Sequence, residues 1–87
     1  MSTSTLTGED ARLREIAEIA ADLFTVTPEE VIEAESFIND IGTDSLLAIE
    51  LLCQLEKHFG VHIEESASAR MTNLRGTYDV MAEIAGW

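Results

Sequence analysis

Ser45, Cys53, His58 and His62 carry the nucleophilic, acid–base or metal-binding chemistry that stands out in an otherwise acidic and aliphatic sequence. A catalytic serine needs a base in hydrogen-bond reach and donors for an oxyanion. Around Ser45 the chain reads Ile41-Gly42-Thr43-Asp44-Ser45-Leu46. Thr43 separates Gly42 from Asp44, which breaks a Gly-Asp-Ser-Leu signature, and no glycine stands two places after Ser45 to complete Gly-x-Ser-x-Gly. Further along the same helix, His58 would lie roughly 20 Å from Ser45 at ~1.5 Å rise per residue. The residue types therefore argue against self-contained catalysis. Two histidines on either side of Gly60 and a lone cysteine supply no metal-ligand set, and the acids lack the spacing of a calcium-binding loop. No metal is expected, and the histidines are read as surface residues.

What Ser45 does offer is an attachment point. Asp44 is a helix N-cap residue, which puts Ser45 in the first turn of the helix that follows. A hydroxyl there is accessible, near backbone N–H groups without intrahelical partners and the positive end of the helix dipole, so it tolerates a phosphate well. That helix is expected to run to about His58 and to stop at Gly60. At 100° per residue Ala48, Leu51, Leu52, Leu55 and Phe59 form one core-facing stripe. Leu46, Ile49 and Cys53 form a second cluster, roughly 140° away. Glu50, Glu56 and Lys57 share that outward side, making a narrow apolar strip edged by mostly acidic charge. Periodicity alone leaves two readings open for the strip: a partner-binding surface, or contact with a loop of the same chain.

The remaining elements can be read around this helix. Thr7 caps a first helix over about residues 8–24, with Leu13, Ile16, Ala17, Ala20, Leu23 and Phe24 on one face. Thr27-Pro28-Glu29-Glu30 is a capping box that opens a turn or two of helix around Val31 and Ile32. From Glu33 to Thr43 periodicity is lost, with Phe37, Ile38 and Ile41 expected to tuck against the helices. A short helical piece is expected near Ser66 to Met71, and a last helix from Thr72 or Asn73 to near Gly86, with Leu74, Tyr78, Met81 and Ala85 on one face. No run alternates as a strand would. The expected fold is all-α, a small bundle of three main helices plus one short helix, with a long ordered loop between the first and second main helices. Residues 1–7 are read as a flexible N-terminus and 8–87 as one domain.

Charge bounds the partners. The 87 residues include 17 acids and 5 Lys or Arg, a formal net charge of −12. Such a surface repels nucleic acid and anionic membranes and steers towards basic protein patches. One cysteine cannot form an internal disulfide, and neither a membrane span nor a signal peptide is legible, so a cytoplasmic monomer is expected.

The segment from Ser36 to Leu46 strongly resembles the prosthetic-group site of acyl carrier proteins, whose pattern is an apolar residue, Gly, any residue, Asp, Ser, Leu. The likeness continues through Glu50-Leu51, Leu55-Glu56, Phe59-Gly60 and Ile63, and covers roughly residues 9–85. It implies that a phosphopantetheinyl transferase moves 4′-phosphopantetheine from coenzyme A onto Ser45, and that the arm's thiol then carries acyl groups as thioesters. It further implies an acyltransferase or an acyl- or aminoacyl-loading enzyme, and a ketosynthase, as partners. Asp44 and Leu46 match positions that partners read, and Leu46 to Lys57 matches the family's recognition helix, so Leu47, Ile49, Glu50, Cys53, Glu56 and Lys57 join the expected partner face. Carriers of fatty-acid synthesis commonly place acids where this chain has Leu47 and Lys57, and His58 and His62 also depart from the expected pattern. The resemblance therefore favours a stand-alone carrier of polyketide or related natural-product assembly. The alternatives are a fatty-acid or an aminoacyl/peptidyl carrier and, from another class, an unmodified helical adaptor.

Overall fold

The computed structural model describes residues 8–87, so the Thr7 cap and the N-terminal segment 1–7 lie outside the described residues. Four α-helices follow in order: α1 (Gly8–Phe24), α2 (Pro28–Glu33), α3 (Ser45–Phe59) and α4 (Leu74–Ala85). A π-helical turn, Phe37–Ile41, precedes α3, and a 3₁₀ helix, Glu65–Arg70, precedes α4. No strand occurs among the described residues, and α1, α3 and α4 are the three main helices expected from the apolar spacing.

Capping residues mark the starts of α2 and α4 and the end of α3. In α1, Ile16, Ala17, Ala20, Ala21 and Phe24 are buried, and the alanines keep that face thin enough for neighbouring helices to approach. The Thr27 hydroxyl accepts from the Glu30 N–H and the Glu30 carboxylate accepts from the Thr27 N–H, a reciprocal box that starts α2. α3 ends at Gly60, whose φ of +68° is left-handed and whose N–H donates to the Glu56 carbonyl. Asn73 Oδ1 accepts from the Gly76 N–H to start α4.

Packing buries one contiguous core. Ile16 from α1, Leu51 and Leu55 from α3, and Val80 and Met81 from α4 are essentially inaccessible, and Val31 and Ile63 close its sides. On α4, Thr77 and Val80 join the expected Leu74, Tyr78 and Met81 in the core, while Ala85 is only half-buried. At the chain's end Trp87 lies edge-on to Phe59, with centroids 5.1 Å apart, and the Arg12 guanidinium sits 4.2 Å above the Trp87 ring.

The connection between α1 and α3 departs from a plain anchored loop. Gly42 N–H reaches back to the Phe37 and Ile38 carbonyls, at 3.1 and 3.2 Å, and closes a π-helical turn. Only one of the expected anchors is fully inserted: Phe37 is buried and meets Phe24 edge-on, with centroids 5.3 Å apart. Ile41 is half-buried, and Ile38 is 53% exposed, a correction to the expectation that it tucks inward. The turn's backbone hydrogen bonds fix Phe37 towards the core, and neighbouring Ile38 then faces out.

Candidate functional site

Polar bonds at both ends of the π-helical turn hold the segment that delivers Ser45. Asp40 Oδ2 accepts from the backbone N–H groups of Glu35 and Ser36, at 2.7 and 3.1 Å, and the Ser36 hydroxyl accepts from the Asn39 N–H. The Phe37 N–H donates to the Thr72 carbonyl at 2.8 Å, and Asn73 Nδ2 donates to the Glu35 carbonyl, tying the turn to the start of α4. Gly42 then takes φ +88°, a left-handed conformation that glycine adopts without steric cost, and turns the chain towards α3.

Asp44 is the N-cap of α3, in an extended conformation with its Oδ1 accepting from the Leu47 N–H at 2.9 Å. Ser45 is therefore the first helical residue, and it is exposed. The helix dipole and the N–H groups of the first turn favour negative charge at this end. His58 lies at the opposite end of α3 and sits 2.7 Å from Glu15 Oε2 on α1, so it is no base for Ser45. His62 is a surface residue, with Glu56 and Glu64 carboxylates at 3.4 and 3.3 Å. Among the described residues no group of three or more His, Cys, Asp or Glu is arranged to hold a metal.

The two faces of α3 emerge as the periodicity indicates. Leu51, Leu52 and Leu55 are buried, with Ala48 and Phe59 half-buried, while Leu46, Ile49, Glu50, Cys53 and Lys57 are exposed. Two residues expected on the outward face are drawn into the fold. Leu47 is half-buried against the core. Glu56 Oε2 accepts from the Ile63 N–H at 2.7 Å, which binds the carboxylate to the segment after α3 and leaves its side chain 25% exposed. Five large apolar side chains of the described residues stand exposed: Ile32, Ile38, Leu46, Ile49 and Ile84. Ile38 and Ile49 line a cleft together with Ser45, and exposed Leu46 follows Ser45 in the chain.

That cleft, about 250 Å³, lies between α3, the π-helical turn and the 3₁₀ helix, with Phe37, Ala48, Ala69 and Met71 among its walls. Sequence reading missed its far wall, because residues 68–72 meet α3 only through tertiary packing. It also passed over Thr43, which fills the unspecified place in the motif. Thr43 is 8% exposed, lines the cleft, and its hydroxyl has no hydrogen-bond partner. A buried hydroxyl left in that state costs about 1–3 kcal/mol.

Residues 14–80 match the family model described as "Phosphopantetheine attachment site". The chain is 42% identical over 80 residues to "Polyketide-8 synthase acyl carrier protein 1" of Streptomyces avermitilis, covering 91% of this chain and 95% of that one. It is 33% identical over 72 residues to "Polyketide-8 synthase acyl carrier protein 2" of the same organism, covering 83% of each. Among solved structures it is similar to a chain of "The ishigamide ketosynthase/chain length factor", with a TM-score of 0.71, 37% identity, and coverage of 87% of this chain and 96% of that one.

Proposed function

The chain belongs to the acyl carrier protein family, and from that premise we propose that it carries acyl intermediates of polyketide assembly on a 4′-phosphopantetheine arm joined to Ser45. The observation that carries this reading is the placement of Ser45: an exposed first helical residue that lines a cleft together with the exposed apolar side chains of Ile38 and Ile49. The protein is a non-catalytic carrier. When bound, the arm supplies a terminal thiol that holds acyl groups as thioesters.

The residues around Ser45 fit such a group. The first turn of α3 favours a phosphodiester through its dipole and N–H groups, and Asp44 keeps that turn formed by holding the Leu47 N–H. During modification the transferase must take the Ser45 hydroxyl proton while a phosphorus–oxygen bond forms to Ser45 Oγ and 3′,5′-ADP leaves. Neither histidine of this chain can perform that deprotonation, since both lie at or beyond the far end of α3.

The partner face follows from the same geometry. Leu46, Ile49 and Cys53 offer apolar contact, while Asp44 and Glu50 add negative charge; the half-buried Leu47 and Glu56 position this surface rather than dominate it. A ketosynthase, an acyl-loading enzyme and the transferase are the partners this surface suits, each through a basic rim around an apolar spot. Polyketide cargo is supported by the two relatives named as polyketide synthase carriers and by the similarity to a chain solved in a ketosynthase structure.

Incubating the unmodified protein with coenzyme A and a broad-specificity phosphopantetheinyl transferase is expected to add a single phosphopantetheine to its intact mass, and Ser45→Ala to abolish the addition. Folded wild-type protein that gains no mass would favour an unmodified helical adaptor instead.

A further inference from the structure

We propose that Thr43 is a specificity-determining residue, whose hydroxyl donates a hydrogen bond to an oxygen function on the acyl chain when that chain enters the cleft beside Ser45. The proposal rests on the carrier reading of Ser45 above. Three observations lead to it. Thr43 is two residues from the attachment serine and lines the same cleft as Ser45, Ile49 and Met71. Its backbone is engaged, the N–H donating to the Phe37 carbonyl at 3.3 Å, which fixes the position of its Cα at the cleft wall. Its hydroxyl is shielded from water and has no hydrogen-bond partner.

An unpaired buried hydroxyl is disfavoured unless something satisfies it, and valine would fill nearly the same volume without that penalty. The other hydroxyls of the cleft wall do not pose this problem. Ser36 Oγ accepts from the Asn39 N–H, Ser45 and Thr72 are exposed, and Ser68 is half-buried. Thr43 is thus the polar group that an incoming chain would complete. A threonine side chain has three staggered wells about χ1, so a change of well turns the hydroxyl towards a chain that parts the cleft.

The cleft's walls select the chemistry. Phe37, Ile38, Ala48, Ile49 and Met71 present hydrocarbon, which suits methylene and methyl groups. At about 250 Å³ the cleft is smaller than the ~300 Å³ at which drug-sized pockets begin, so it suits a short chain of a few carbons. A saturated chain would leave the Thr43 hydroxyl as unpaired as before. A ketone oxygen accepts only, and the hydroxyl can donate to it. The preferred cargo class is therefore a short oxo-acyl chain over its saturated counterpart.

The test loads wild type and Thr43→Val, each carrying the arm, with hexanoyl or 3-oxohexanoyl chains through a hydrolysis-resistant amide in place of the thioester. Intact mass verifies loading before melting curves and methyl NMR spectra are recorded. In wild type the 3-oxo form should melt about 4 °C or more above the hexanoyl form, the shift expected for a single hydrogen bond in a domain of this size. The Thr43 methyl signal should move with the 3-oxo chain and much less with the saturated one. In Thr43→Val the two loaded forms should melt together, while its unloaded form is at least as stable as wild type. Equal midpoints for the two chains in wild type would overturn the proposal, as would an undiminished difference in Thr43→Val. A full Thr43 methyl shift with the arm alone would also overturn it, because the arm's own polar groups would then be the partner. If no arm attaches at Ser45, the mass spectrum reveals it first, and the carrier reading fails along with this one.

Discussion

Asp44 links the local sequence to the accessibility of Ser45. Its side chain accepts from the Leu47 N–H, and this cap makes Ser45 the first helical residue rather than part of the preceding connection. Asp44→Ala should cost about 1 kcal/mol by loss of the cap, read as a lower thermal midpoint in the unmodified protein. Asp44→Asn should recover most of that stability, since an amide oxygen caps nearly as well. The roles of Asp44 and Ser45 were legible from the local sequence alone, because a cap depends on neighbours a few places away. Thr43 was not legible: whether a threonine hydroxyl finds a partner depends on the wall formed by residues 68–72, which the chain brings alongside only after folding.

At the scale of elements, α3 divides its work between two faces. The buried leucines fix the helix to the core, and Leu46, Ile49 and Cys53 remain on the surface. Ile49→Asp or Glu50→Lys should lower turnover by a partner enzyme while helical circular dichroism is retained, because neither side chain is buried in the fold. The far side of the cleft depends on how closely the 3₁₀ helix meets α4. A Cβ at Gly76 would press on the Arg70 carbonyl oxygen, backbone against which there is little freedom to yield. Gly76→Ala should therefore destabilise the protein by about 1–3 kcal/mol in denaturant titration, despite alanine's better helix propensity. The three long helices were legible because their apolar residues recur every three or four places, and α2 because a capping box opens it. The π-helical turn was not, since a bulge with bonds five residues apart leaves no such period; Ile38, apolar yet exposed, shows that hydrophobicity without periodicity does not assign a side. Leu47 and Glu56 mark two further limits on α3. Glu56 lies at the edge of the outward arc, where a contact from elsewhere in the chain decides its direction, whereas Leu47 joined the partner face by resemblance although 100° per residue sets it about 40° from Leu51 on the core stripe.

Across the whole molecule, an acidic chain of net charge −12 uses its few cations to join separate elements. Arg70 binds both carboxylate oxygens of Glu83 at 3.0 and 2.6 Å and links the 3₁₀ helix to α4, while Arg75 reaches Glu9 on α1 at 2.9 Å. The hydrogen bonds from Arg70 hold the Glu83 carboxyl below its ordinary range. Its contribution to stability is consequently present above the unfolded carboxylate's pKa and lost as pH falls through the lowered folded value. Glu83→Gln should be the less stable form near neutral pH by a small margin, given how exposed the pair is, and the gap to wild type should close as acid protonates Glu83. Thermal melts of both forms across that range would check the sign. No described helix is long and apolar enough to cross a membrane, and the unspent negative charge is available to steer basic partners. The carrier role joins these scales, and it is tested most directly by mapping the modification. Trypsin should release residues 15–57 as one peptide, since no Lys or Arg lies between Arg14 and Lys57. After reaction with coenzyme A and the transferase, fragmentation of that peptide should place one phosphopantetheine on Ser45. An unmodified peptide from folded protein, or the group on Ser36 or another side chain, would contradict the account.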